Sequence, residues 1–297
     1  MTWIFYALLS YATVAVANIT DKLLVDRYIK DSSVIVLFTG SVAAIVGLLM
    51  IPFVGIPHYS LFQLIRVIAA GMLLQFYLIP YFQALEKDEP SRVIPLFQVI
   101  PIFSLILSWI FLHETLGVGQ IVGFFFILFG GIFISVTKKG TFALRKTFWL
   151  MMLSSVLFAA STILFKGAVD ENNVMQTIAV ESLGIGVGTL LLFFLPGYAK
   201  TSVQFAKKMP VAGWGALATS EIFYVIYRFL LLIALSLGSV SIVSVLSGIQ
   251  PVFVLLYSGV LSFIAPKFFH EDLSMKTLIQ KGLAFVSMAI GLYFLYR

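Results

Sequence analysis

The sequence predicts an all-α integral membrane protein of about ten transmembrane helices, arranged as two inverted five-helix repeats. Three observations predict it. Of 297 residues, 61% are hydrophobic and only 11% are charged, whereas soluble proteins carry roughly 25% charged residues. Apolar runs near the ~20 residues a helix needs to cross a bilayer recur along the whole chain. The second half repeats the first after an odd number of such runs, so the second copy enters the bilayer from the opposite side.

The first unit, 1–140, holds spans at Trp3–Leu24, Ser33–Phe53, Leu61–Leu85, Val93–Leu112 and Leu116–Thr137. The second unit, 141–297, holds Phe148–Ala168, Val174–Leu195, Pro210–Leu237, Ser239–Phe263 and Leu273–Tyr296. The runs are continuous rather than alternating, which selects helices over a β-barrel. Too little remains between them for a soluble domain. No basic segment precedes Trp3 and no small-residue cleavage pattern follows the first span, so this run is read as a retained helix.

The repeat rests on ordered anchors. Lys22-Leu23-Leu24-Val25-Asp26 returns 144 positions later as Lys166-Gly167-Ala168-Val169-Asp170, and Pro52 returns as Pro196. Ala84-Leu85, Ser91, Val93 and Pro101 match Ala234-Leu235, Ser241, Val243 and Pro251 at an offset of 150. His113-Glu114 answers His270-Glu271 at 157. The offset changes only where connecting loops are expected.

Charge gives orientation. Fifteen of the nineteen Lys and Arg lie in or beside the loops after the odd-numbered spans. The positive-inside rule then places both termini outside the cytoplasm. The +6 net charge needs no nucleic-acid partner, and the absence of cysteine excludes disulfides and a Cys nucleophile.

Glycines inside spans, such as Gly40, Gly47, Gly184, Gly186 and Gly188, permit close helix packing. Prolines interrupt spans at Pro80, Pro95, Pro101 and Pro251. Each removes one backbone bond and frees a carbonyl, which in lipid needs a partner or a cavity. Pro101 and Pro251 are equivalent in the two units and have Gln98 and Gln250 beside them. Paired breaks of this kind mark either a binding site between repeats or a structural kink.

Ionisable groups at membrane depth are costly and are functional candidates by default. Glu221 and Arg228 in the eighth span share one face with Tyr224 between them, but roughly 10 Å of rise separates the two charges. Each therefore needs another partner. Gln75 in the third span is expected to look toward the same space. Glu181 in the seventh span is within plausible reach of Lys166, as a gate or a brace. Lys22 and Lys166, equivalent on opposite rims, are expected to snorkel to headgroups, with Asn18 one turn before Lys22. The His-Glu pairs fall at opposite faces and cannot share a metal; their acidic groups fit the dipoles of the fifth and tenth helices.

The duplicated unit, Lys22 and Lys166, Pro101 and Pro251, and the Glu-x-Leu pairs (Glu114, Leu116; Glu271, Leu273) resemble the drug/metabolite transporter superfamily. Gly123, Gly130 and Gly131, with Gly282 and Gly291, belong to the same pattern. Over essentially its whole length the chain is similar to its ten-helix EamA-type members. The resemblance implies secondary active transport of small metabolites, amino acids or amphiphilic compounds, often by export, through a central cavity. It carries over no binding motif. Members are commonly drawn with both termini cytoplasmic, the reverse of the charge count.

The expected function is thus alternating-access transport across the cell membrane, the inner membrane in a Gram-negative source. Glu221, Glu181 and Arg228 are the candidates for substrate charge or proton coupling. No cofactor or metal is called for, and a monomer or homodimer fits. A flippase or exchanger for lipid-linked or nucleotide sugars ranks lower, because Arg228 is the one deep cation. No nucleophile–base pair supports an enzyme. A non-transporting receptor or scaffold would not need buried charges.

Overall fold

The computed structural model describes residues 2–28, 32–55, 58–85, 93–135, 146–169, 173–194, 197–264 and 275–296. These residues are mostly helical, with no strand among them. In the first unit, α1 is Thr2–Arg27, α2 Ser32–Val54, α3 Leu61–Phe76, α4 Leu78–Leu85, α5 Ile100–Leu112 and α6 Val118–Ser135. In the second, α7 is Lys146–Lys166, α8 Val174–Phe193, α9 Tyr198–Ala206, α10 Val211–Leu237, α11 Val240–Val245, α12 Gln250–Ile264 and α13 Met275–Tyr296. Seven of the described helical spans are long and apolar enough to cross a membrane alone. Three shorter apolar stretches, Leu96–Leu112, Val118–Gly130 and Gly282–Leu295, stand at the fourth, fifth and tenth spans.

The third span is α3 plus α4, broken at Tyr77. Pro80 causes the break: it has no N–H for the carbonyl of Phe76, and its ring crowds that carbonyl. The fourth and ninth spans change pitch rather than kink. A 3₁₀ turn, Ile94–Val99, precedes α5, and another, Leu246–Ile249, precedes α12. Pro101 and Pro251 therefore stand in the first turns of α5 and α12, where the missing N–H costs least.

Packing obeys the exchange of one unit for the other. Helix α1 packs on α10, and its counterpart α7 packs on α3 and α4. Helix α1 also meets α12, as α7 meets α5. Across the pseudo-axis α2 meets α8, and α6 meets α13. A Cβ on Gly123 would lie 2.7 Å from the carbonyl oxygen of Gly291, so α6 and α13 touch backbone to backbone. Outer faces carry apolar side chains, including Trp109, Phe129 and Leu283, as lipid contact requires. The amphipathic α9 was not expected from the sequence. It lies along α2, where Ser202 Oγ donates to Ser33 Oγ at 3.4 Å.

Candidate functional site

Between the two units lies a cavity lined by residues of both. Helix α1 supplies Asn18 and Asp21, α2 supplies Thr39, and α10 supplies Ser220, Glu221 and Tyr224. Gln98 and Gln250 line it from the pitch changes of the fourth and ninth spans. Equivalent positions of the two units line it together: Val14 and Phe158, Asn18 and Thr162, and Tyr77 and Tyr227.

Its walls are aromatic. Tyr11, Tyr77, Tyr81, Tyr224 and Tyr227 all reach it. The Tyr77 and Tyr224 hydroxyls are 3.2 Å apart, and Tyr11 is anchored by donating to the Val243 carbonyl at 2.9 Å. Tyr81 packs on Phe97 and Tyr77 on Phe158, with centroids 4.9 and 5.3 Å apart.

Two carboxylates enter this chamber. Ser220 Oγ donates to Asp21 Oδ1 at 2.5 Å. Thr39 Oγ1 donates to Glu221 Oε1 in a short bond. Among the described residues Glu221 Oε2 has no hydrogen-bond partner, and Glu221 is only 6% exposed.

A second, smaller chamber adjoins the first through Thr39, Leu78, Glu221 and Tyr224. Arg228 and Gln75 line it. Gln75 Nε2 donates to the Val36 carbonyl at 2.7 Å. Arg228 Nη2 donates to Glu181 Oε1 at 2.5 Å, and its guanidinium carbon lies 6.0 Å from the Phe158 ring centroid.

The partner expected for Glu181 is corrected here. Its ion pair is with Arg228, across α8 and α10, while Lys166 Nζ donates to the Ser236 carbonyl at 3.0 Å. Lys166 ends α7 near the C-terminal end of α10, where a carbonyl of the last turn is available to a cation. Lys22 lies in α1, but its side chain falls outside the described residues, as does that of Pro251. Pro101 is buried in the first turn of α5, and Ile100 beside it lines the chamber.

Glu114 is also corrected. It serves not the helix that follows it but the first turn of α11. Its carboxylate accepts from Ser239 Oγ at 2.7 Å, the Val240 N–H at 2.9 Å, and the N–H and hydroxyl of Ser241 at 3.2 and 3.0 Å. His113, left-handed at φ 54°, ends α5 and turns Glu114 back. Burial pushes the Glu114 carboxyl up, but these four donors outweigh it and hold the group below the usual carboxylate value. His270 and Glu271 lie outside the described residues.

The α11 contact belongs to a set that closes one end of the molecule. Arg66 Nη1 donates to the Gly167 carbonyl at 2.9 Å, Gln176 Nε2 to the Val54 carbonyl at 2.8 Å, and Tyr59 pairs with Thr177. All these residues stand at the helix ends away from the basic loops. Asn18, Asp21, Phe97 and Gln98 lie in the other half of the bundle, so the main cavity is offset toward the basic end.

Residues 1–136 and 145–296 each match the EamA-like transporter family. The chain belongs to that family. An 80-residue stretch, 27% of this EamA-like chain, is 31% identical to the uncharacterised protein MJ1333.1 of Methanocaldococcus jannaschii; the match spans about half of that relative, 53% of its length. One solved structure, described only as the crystal structure of a protein, matches 99% of this chain and 96% of its own at TM-score 0.67 and 18% identity. That likeness establishes the fold of this EamA-like protein.

Asp21, Thr39, Tyr77 and Tyr227 were not singled out from the sequence. Two signals were available. Tyr77 and Tyr227 recur at the offset that relates Pro101 to Pro251, and Asp21 follows Asn18 by one helical turn.

Proposed function

We propose that this protein is a secondary active transporter of small organic solutes, exporting them across the cell membrane by alternating access, with 1–140 and 141–297 as the moving units. The observation that carries the proposal is an aromatic, acid-bearing cavity between the units, offset toward one end, while inter-unit hydrogen bonds close the other. Alternating access requires that these bonds break as the opposite end shuts. Of the three coupling candidates, Glu181 is held by Arg228. That leaves Glu221, with one unpartnered oxygen, as the proton carrier.

The chain has no cysteine, so a Tyr59→Cys/Thr177→Cys variant can be bridged selectively with a bis-methanethiosulfonate cross-linker, each cysteine forming a disulfide as sulfinate leaves. In liposomes, bridging should stop solute counterflow and reduction should restore it. Counterflow that continues with the bridge in place would remove alternating access at this end. Separately, Glu221→Gln should abolish flux driven by a pH gradient.

A further inference from the structure

We infer that the main cavity selects an organic cation: an amine carried on an aromatic or apolar body. This rests on the reading above that the cavity is the transport site. The argument begins with charge. Among the described residues lining the two chambers, three carboxylate side chains face one guanidinium, counting Glu181 as the partner of Arg228. Arg228 gives Nη2 to Glu181 while its Nε and Nη1 have no partner among the described residues; the pair offsets one negative charge and leaves Asp21 and Glu221 without a cation.

Burying charge is costly unless it is paired. Each of these carboxylates has one hydroxyl donor, Ser220 or Thr39. A hydroxyl satisfies one lone pair but supplies no countercharge. Glu221 lines the cavity, and its buried Oε2 lacks a donor among the described residues. Gln98 Oε1 is a second such acceptor, on a side chain 5% exposed. An ammonium group is a compact donor without acceptors, which suits both.

The rest of the wall fits the body of such a molecule. Tyrosine faces attract cations through the ring quadrupole and offer apolar area to a carbon skeleton. Tyr81 and Tyr224 line the same cavity as Asp21 and Glu221, so the acidic groups and the aromatic rings share one wall. A solute with its own carboxylate would bring a third negative charge among them, with Arg228 already neutralised. Zwitterions and anions are therefore disfavoured by the same groups that favour amines.

The test is a series sharing one phenyl body and differing in charge: phenethylamine, phenylalanine, 3-phenylpropionate and 2-phenylethanol. Binding to the full-length protein in detergent is measured by calorimetry. Phenethylamine should bind tightest, by about tenfold or more over the neutral alcohol, since hydrogen bonds to charged groups are worth about 1.5–3 kcal/mol. Phenylpropionate should bind weakest. Asp21→Asn, which keeps the shape and an acceptor for Ser220, should erase most of the advantage of the amine while leaving the alcohol unchanged.

If phenylalanine or phenylpropionate binds as tightly as phenethylamine, or if none of the four binds, the inference falls. Should Asp21→Asn not fold, the charge series on the unsubstituted protein decides. Counterflow in liposomes separates the two readings. Movement of another charge class without the amine leaves the transporter and removes the cation. Amine binding without movement leaves the cation site and removes the transporter.

Discussion

Helices α3 and α10 occupy equivalent places in the two units, yet one closes space and the other opens it. At the offset of 150, Gly71 corresponds to Glu221, Leu74 to Tyr224 and Leu78 to Arg228. Gly71 lets α3 press onto the backbone of α8: a Cβ there would collide with the Glu181 carbonyl and lie 2.6 Å from the Ile185 nitrogen. Gly184 answers from α8, where a Cβ would sit 2.5 Å from the Ile68 carbonyl oxygen. On α10 the same positions bear long polar side chains, and two chambers lie beside them. Substituents at matched positions of one scaffold decide where volume appears. The cavity is where the second copy has side chains and the first has a seam.

That contrast can be broken most severely at the ion pair linking its two sides. Arg228→Leu should destabilise the protein by about 3–5 kcal/mol, because Glu181 is left buried and uncompensated. Thermal unfolding in detergent measures it, and Glu181→Leu in the same chain should restore much of the loss. A melting temperature unchanged by Arg228→Leu alone would show that the pair is not what joins α8 to α10. Next in size, Gly71→Ala should cost about 1–3 kcal/mol by overpacking, whereas Ala at Gly215, where nothing approaches, should cost nothing from overpacking. Equal effects at both glycines would remove the seam. Tyr77→Phe loses one hydroxyl contact with Tyr224 and should cost about 1 kcal/mol.

The smallest effect is a pH dependence at Glu114. Its folded pKa lies below the usual carboxylate value, so the unfolded chain binds the proton more readily. Its stabilising contribution is complete above the unfolded value near 4.5 and is lost as pH falls through the lower folded value. Acid titration of the melting temperature should show a drop in that window that Glu114→Gln lacks.

Much of the fold was legible because lipid imposes it. Continuous apolar runs locate the spans, and Pro80, Pro101 and Pro251 locate the changes within them. The faces of the eighth span were legible from helical spacing: Glu221 and Arg228 do find separate partners, Thr39 and Glu181. Which helix supplies a partner was not, because spacing fixes the side of a helix that a residue is on and says nothing of the neighbour it meets. Glu181 was thus assigned to Lys166, which lies closer in sequence than Arg228. Asp21 was passed over beside Lys22, whose charge drew it to the membrane rim. Both copies supply the cavity's chemistry, since Asp21, Thr39 and Tyr77 come from the first.

The seam between α3 and α8 also sets what this scaffold can become. Positions where no Cβ fits cannot be recruited to recognise anything, however the chain is varied. Asn18, Thr39, Ser220 and Tyr224 stand on a wall where a change of side chain alters space rather than backbone contact. New solute preferences are therefore to be gained along α1, α2 and α10 rather than at Gly71 and Gly184.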